Sequence, residues 1–206
     1  MIRVTLQPKP AHFDNQVRRP GRQFLRQIPH PTSAEWAEHS YWRRILEPLH
    51  TAYSGICAYS CHWIPYDTGA DTVEHFLPKT THPNKAYEWT NYRLACATLN
   101  GRKGIKRILD PFEISDGWFT IDFPSLLILP APGLDARLSK RITDTRDLLG
   151  LNDEGTCLRA RQRYVKNFCQ GMITFDFLRQ DAPFIASEIR RQGLEATLPE
   201  IMGYSR

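Results

Sequence analysis

The chain has 206 residues, 41% of them hydrophobic and 24% charged, which suits one domain, or one domain with an appended helical region. Its formal net charge of +5 favours an anionic partner without identifying one. No stretch approaches the roughly 20 apolar residues of a membrane span, the start lacks a secretory signal, and the five cysteines follow no disulfide framework, so we expect a cytoplasmic protein with no membrane segment.

Residues 1–31 are rich in proline and basic residues. They contain five prolines and six Lys or Arg against one acid, a composition poorly suited to a packed core. This composition predicts an extended N-terminal arm that docks on a partner or lies on its own domain. Residues 32–206 are predicted to form a single domain, with a core over 55–107 and helices after it.

The elements predicted after the arm begin with a helix. Thr32 and Glu35 have the spacing of a capping box, and apolar residues then recur with a helical period, which predicts an amphipathic helix over 34–53. A β-prone segment predicts a strand over 56–64, and Tyr66 to Gly69 has the composition of a turn. The segments that follow predict a strand, a loop, a strand and a helix, over 72–76, 79–90, 92–95 and 98–107.

The C-terminal half shows a hairpin signal and two helical patterns. Asp116-Gly117 between apolar segments predicts a hairpin turn, and the apolar run Leu126 to Leu129 is at most strand-sized. Asn152 is predicted to cap a helix over 153–178, and a last helix is predicted over 184–194. We expect these helices to pack without chemistry of their own.

Basic residues are concentrated between Lys79 and Arg107. This stretch holds seven Lys or Arg against a single acid, Glu88. Such clustering is typical of a surface that binds phosphates, and the alternative is an ordinary solvated face.

Polar residues near this cluster fit the hydrolysis of a phosphodiester bond. Glu74-His75 ends one predicted strand, Asn91 opens the next strand, and Asn100 lies on the predicted helix. Histidine can deprotonate water near neutral pH, and carboxylate and amide oxygens are ligands for a hard divalent cation such as Mg²⁺. Neighbours on a regular strand point to opposite faces, so a bulge or the strand end must turn Glu74 and His75 toward one cleft.

The string TVEHFLPKTTHPNKAYEWTNYRLACATLNGRKG resembles the HNH endonuclease family, whose signature runs acid-His, then Asn, then Asn or His at a helix start, often before Lys-Gly. Its flanks EHFLPK, YEWTNYRLAC and LNGRKG, with the later DLLGLNDE, are similar to the branch found as effectors of bacterial anti-phage systems of the Septu and retron type. The close resemblance covers mainly residues 55–104 and implies an α+β fold with a ββα-metal core.

The resemblance also implies roles for the matching residues. These roles are general base for His75, loop bracing for Asn91, ligation of one divalent metal ion for Glu74 and Asn100, and phosphate contact for Lys103. The basic cluster adds Lys79 and Arg102 as candidate nucleic-acid contacts. The implied activity is hydrolysis or nicking of DNA, and RNA stays open as the alternative substrate. The implied partner is an ATPase that restrains or delivers the nuclease.

One part of the family pattern is missing. Many relatives bind a structural zinc with two Cys-x-x-Cys pairs, but Ser60 and Leu99 stand at two of the expected ligand positions, so we expect no structural zinc. The alternative is a zinc site formed by Cys57, Cys61, Cys96 and His62. Two other interpretations stay open: a nucleic-acid-binding module with a decayed site, and an interaction subunit whose metal site is structural.

Overall fold

The computed structural model describes residues 1–68 and 70–204, and it shows a mixed α+β protein. The chain forms two compact units where the sequence predicted a single domain. The N-terminal unit comprises residues 5–57 and the described part of 64–105, whereas the C-terminal unit comprises 1–4, 58–63 and the described residues from 106 onward. Gly69 of the predicted turn and residues 205–206 of the predicted domain lie outside the described residues.

The N-terminal unit contains one antiparallel strand pair and several short helices. Its elements are α1 (Arg19–Gln27), α2 (Ser33–Glu38), α3 (Leu46–Ala52), β1 (Asp71–His75), β2 (Tyr92–Cys96) and α4 (Ala97–Lys103). The strands pair in a continuous register that sets His75 opposite Tyr92. The helix α4 follows β2 directly and ends before Gly104, whose φ of +47° favours glycine. The predicted order of strand, loop, strand and helix is therefore confirmed.

The N-terminal segment corrects the prediction of an extended arm. A π-helical turn over Asp14–Arg18 runs into α1, so residues 14–27 are helical. Phe13, Val17 and Phe24 are buried, which shows that this segment has an inward apolar face despite its prolines. The wider π-helical turn ends at Arg18, two residues before Pro20, which has no N–H to donate to a regular α-helix.

The predicted helix over 34–53 is divided into three pieces. The helix α2 begins with the predicted capping box, in which the Glu35 N–H donates to Thr32 Oγ1 and the Thr32 N–H donates to the Glu35 carboxylate. A 3₁₀ turn over Tyr41–Ile45 then leads into α3. Pro48 accounts for the restart, because it can stand in the first turn of a helix but not in its interior.

The predicted strand over 56–64 does not form. Cys61 has a φ of +55°, in the left-handed region that an extended strand excludes. The chain also leaves the N-terminal unit here, since residues 58–63 belong to the C-terminal unit.

The C-terminal unit combines a second strand pair with helices. Its elements are β3 (Phe119–Asp122), β4 (Leu127–Pro130), α5 (Ala136–Leu149), α6 (Arg159–Cys169), α7 (Phe175–Asp181), α8 (Pro183–Arg191) and α9 (Leu198–Ile201). The hairpin joins β3 to β4, so its reversal lies after Asp122 and not at the predicted Asp116-Gly117. The residues before Asp116-Gly117 do not form a strand, because Asp110 and Pro111 begin a turn that is closed by the hydrogen bond from the N–H of Ile114 to the carbonyl oxygen of Asp110. None of the described helices has the length and apolarity to cross a bilayer.

The predicted helix over 153–178 is also divided. Asn152 does not cap it, because its amide binds both backbone groups of Ile128 on β4, at 2.8 and 3.0 Å. The helix α6 ends at Cys169, shortly before Gly171 with a φ of +71°. The predicted last helix over 184–194 corresponds to α8.

Candidate functional site

A cleft of about 640 Å³ runs along β1 in the N-terminal unit. Residues of the 3₁₀ turn, α3, β1, the loop after β1 and α4 line it. The lining includes four of the seven site residues predicted from the sequence: Glu74, His75, Lys79 and Asn100. The other three are outside the lining: Asn91, Arg102 and Lys103. The structure therefore gathers the predicted acid, histidine and helix asparagine in one cavity.

His75 lies at the end of β1 with its ring almost fully buried. Its Nε2 lies 2.9 Å from the carbonyl oxygen of Ala86, and the ring packs edge-on against Trp42 and Tyr92. A carbonyl only accepts, so Nε2 carries the proton and the neutral ring keeps its lone pair on Nδ1. Burial, reinforced by the charge of Lys79, lowers the pKa of His75 to about 3. The imidazole is therefore neutral at pH 7.

The acceptor of His75 is itself held in place by Tyr92. The Tyr92 hydroxyl donates to the same Ala86 carbonyl at 2.7 Å, and this side chain is completely buried. Burial raises the pKa of Tyr92 well above its ordinary value, so the hydroxyl remains a donor. Sequence reasoning missed Tyr92, because an aromatic residue on a buried strand is ordinary core material.

Lys103 corrects the expectation of a phosphate contact. Its Nζ lies 2.8 Å from the Glu74 carboxylate, and it donates to the carbonyl oxygens of His75 and Phe76 at 2.8 and 2.5 Å. An ammonium group has three hydrogens, and these three acceptors account for all of them. The side chain is also only 1% exposed, so it has no surface to offer a phosphate. Lys103 instead ties α4 to the end of β1.

Glu74 and His75 both line the cleft at the end of β1, one of the two arrangements expected from the sequence, and the register contains no bulge. The continuous register places Glu74 opposite Arg93 and His75 opposite Tyr92, so their side chains leave opposite faces of β1. Within the described residues β1 pairs only with β2, which leaves its other edge open. All five residues of β1 line the cleft, including these two.

Asn100 is oriented by a chain of two hydrogen bonds. Thr72 Oγ1 donates to the carbonyl oxygen of Ala95 at 2.7 Å, and Asn100 Nδ2 lies 2.9 Å from that same Oγ1. Since the hydroxyl hydrogen is given to Ala95, the hydroxyl oxygen must accept from the amide nitrogen. The amide oxygen of Asn100 is then the group that could coordinate a cation.

Asn91 closes the loop between the two strands. Its Oδ1 accepts the N–H of Leu77 at 2.8 Å, and its Nδ2 donates to the carbonyl oxygens of Leu77 and Lys85, each at 3.0 Å. The side chain is buried, so these bonds are shielded from water. Lys85 precedes Ala86, and Asn91 therefore fixes the segment that carries the acceptor of His75.

The basic cluster is only partly a surface. Arg93 and Lys103 are buried, whereas Lys79 lines the cleft with its Nζ 5.5 Å from the Trp42 ring centroid. Burial lowers the pKa of Lys79 from its ordinary value. Arg102 is partly exposed on α4. The roles of Lys79 and Arg102 in nucleic-acid contact stay predictions.

Two further charged residues of the cleft had no signal in the sequence motif. Arg43 is exposed on the 3₁₀ turn, and Asp71 begins β1. Asp71 is buried, and its Oδ2 has no hydrogen-bond partner within the described residues. Neither residue has a distinctive spacing relative to Glu74-His75, so only the fold brings them to the site.

The described residues contain no group of three or more His, Cys, Asp or Glu arranged to hold a metal ion. Within the described residues none of the five cysteines forms a disulfide, and the Cys57 sulfur accepts the N–H of Cys96 at 3.5 Å. The expectation of no structural zinc stays a prediction. Glu74 and Asn100 form a different kind of donor set, a carboxylate and an amide oxygen on the same cleft.

Comparison with known proteins adds one partial match. No family model matches the chain. A stretch of 32 residues is 53% identical to the Septu protein PtuB of Bacillus thuringiensis. This stretch is 16% of the present chain and 12% of that protein, so most of the relative lies outside the match. The similarity links the chain to a Septu protein over that stretch and assigns no activity.

Proposed function

We propose that the chain is a metal-dependent HNH endonuclease that hydrolyses or nicks DNA and acts in the cytoplasm as an effector of an anti-phage defence system. The observation that carries the proposal is the meeting of a neutral histidine, a carboxylate and an amide oxygen on one cleft of a strand–strand–helix unit. In this proposal β1, β2 and α4 are the ββα-metal core. The similarity to the Septu protein PtuB supports the defence role.

His75 is the proposed general base. The lone pair on Nδ1 can take a proton from water, while the Nε2 hydrogen bond to Ala86 favours the imidazolium that results. A bound phosphate brings negative charge to the cleft, which raises the pKa of the ring toward the range in which it is an effective base. Tyr92 and Asn91 act as positioning residues, because both hold the segment around Ala86.

The residues of the cleft fit a hard divalent cation. Glu74 and Asn100 offer two oxygen donors, and Mg²⁺ commonly takes one or two protein oxygens, with water and substrate phosphate completing its shell. When bound, the cation would neutralise charge on the phosphoryl and leaving oxygens. Lys103 beside Glu74 favours the ionised carboxylate and limits its rotation.

Lys79 and Arg102 remain the proposed nucleic-acid contacts, and Lys79 is the one that lines the cleft. A partner ATPase is also proposed, from the resemblance to the Septu branch. The N-terminal segment no longer supports it, because Phe13, Val17 and Phe24 pack inside the chain itself.

One pairing favours a second candidate function. The Glu74 carboxylate is only 3% exposed and already paired with Lys103, as expected for an interaction subunit or nucleic-acid-binding module with a decayed or structural metal site. A cleavage assay distinguishes the nuclease from this second candidate. The purified chain is incubated with supercoiled plasmid, single-stranded DNA and RNA. Nicking or cleavage of DNA that needs Mg²⁺ or Mn²⁺ and stops with a chelator is the result expected of the nuclease. Intact DNA under every metal condition would reject it.

A further inference from the structure

A second groove lies in the C-terminal unit, where the sequence predicted no chemistry. Its volume is about 620 Å³, and one face of α6 forms much of its lining. The side chains of α6 in this lining are Arg159, Gln162, Arg163, Lys166 and Asn167. They recur at helical spacing, so they form a single stripe of cations and amides along the helix.

The stripe stands on a rigid support. The buried side of α6 carries Arg161, Val165 and Cys169. Arg161 donates to the carbonyl oxygens of Leu126 and Leu151 at 2.9 and 2.7 Å. In the sequence it stands between Arg159 and Gln162, two residues of the stripe. The helix is therefore fixed to the turn after β3, and its exposed cations hold a constant spacing.

Three basic residues elsewhere in this unit are held in ion pairs, unlike the three cations of the stripe. Lys140, Arg179 and Arg190 each form an ion pair with a carboxylate. In the part of the chain that the structure describes, Arg159, Arg163 and Lys166 form no such pair, and no carboxylate lines the groove. The groove thus carries uncompensated positive charge that an anionic ligand would neutralise.

The rest of the lining favours a nucleic-acid strand. Arg159 and Lys166 are seven residues apart, about 10 Å along a helix, which suits a ligand with repeating charge. Tyr204 lines the same groove, and the nearby Met172 is 69% exposed. Cations that follow a backbone, with an aromatic ring for an unpaired base, are the features of single-strand binding.

We propose that this groove binds single-stranded DNA, with Arg159, Arg163 and Lys166 on the phosphates and Tyr204 against a base. The proposal deepens the proposed nuclease function and rests on it for the choice of DNA over other polyanions. It adds a substrate-strand contact in a unit that contains none of the seven predicted site residues.

The test measures how a fluorescein-labelled oligothymidylate binds to the full chain. Fluorescence anisotropy gives the affinity at a series of salt concentrations, with a chelator present to prevent metal-dependent cleavage. Arg163→Gln with Lys166→Gln is expected to reduce the slope of log affinity against log salt by about 1.4 for the single strand. The matched control, Arg137→Gln with Arg141→Gln, removes two exposed cations of α5 and is expected to keep the wild-type slope. Equal slopes for both double variants, or a groove variant that binds like wild type, would overturn the proposal.

Tyr204 tests the choice of a single strand. Tyr204→Leu is expected to weaken oligothymidylate binding at least about fivefold and to leave binding of a duplex unchanged. Equal loss for duplex and single strand would contradict base stacking and overturn that part of the proposal. Because these measurements need no catalysis, a chain that binds through the groove but does not cut DNA would reject only the nuclease function. A chain that cuts DNA while groove variants bind normally would reject only the groove.

Discussion

The ammonium group of Lys103 lies 2.8 Å from the carboxylate of Glu74, and both side chains are almost completely withdrawn from solvent. This pair joins α4 to β1 beneath the cleft, so the proposed metal ligand depends on a buried lysine for its position. A charge left alone in such a place is strongly unfavourable, which gives Lys103 a structural role.

Lys103→Met is therefore expected to destabilise the protein by about 3–5 kcal/mol, because it removes the ammonium group that lies against the buried Glu74 carboxylate. Urea denaturation of the variant measures the loss. Lys85→Met is the matched control, since Lys85 is exposed in the same unit and its side chain forms no ion pair with any residue that the structure describes. A Lys103 variant as stable as this control would contradict the role assigned to the pair.

Asn91→Ala is expected to loosen the loop between β1 and β2. The substitution removes the acceptor of the Leu77 N–H and the donors to the carbonyl oxygens of Leu77 and Lys85. Each backbone group left without a hydrogen bond is expected to lower the free energy of unfolding by at most about 1–3 kcal/mol. Hydrogen exchange at the Leu77 amide should become much faster in the variant. Unchanged protection at Leu77, with the overall fold intact, would show that other contacts hold the loop.

The two asparagines are expected to differ in their effect on metal dependence. Asn100→Ala removes a proposed ligand and should raise the metal concentration needed for half-maximal cleavage, whereas Asn91→Ala should lower the rate with a smaller change in that concentration. Titration of Mg²⁺ in a cleavage assay compares them. The same apparent metal affinity in both variants would mean that these roles are misassigned.

His62 in the C-terminal unit is expected to make stability depend on pH. Burial, with the nearby Arg161, lowers the pKa of His62 to about 3 from an unfolded value of 6.5. Between these values the unfolded state binds the extra proton, so stability falls as the pH decreases from 6.5 toward 3, by at most about 1.4 kcal/mol per pH unit.

Urea denaturation over this pH range, for wild type and His62→Gln, measures the effect. The variant should lose less stability on acidification than the wild type, because it lacks the imidazole whose pKa is lowered in the folded state. Parallel curves for the two proteins would show that His62 titrates normally in the folded state.

The sequence predicted β1, β2 and α4 because the residue types of each short segment favour one kind of secondary structure, and because the residues that follow each segment end it. Gly104 ends α4 by its positive φ, and the pairing of His75 with Tyr92 follows once the loop length is known. Of the motif residues, Glu74, His75 and Asn100 line one cleft and Asn91 binds the loop backbone, whereas the roles assigned to them stay predictions.

Other features depend on packing that local patterns do not contain. The burial of Lys103 follows from three acceptors that converge only in the folded chain. Cys61 adopts a positive φ that a β-prone composition cannot indicate. The N-terminal segment resembles a solvated arm in composition, yet Phe13 and Val17 place it against the interior.

The central claim, that His75 is the base of a DNA-cleaving site, is tested most directly by the rate of plasmid nicking. His75→Ala is compared with His82→Ala, which alters an exposed histidine of the same unit. With Mg²⁺ present, the His75 variant should remain folded and nick supercoiled plasmid about 10²-fold more slowly than wild type, while the His82 variant keeps the wild-type rate. A folded His75→Ala protein that nicks plasmid as fast as wild type would contradict the account.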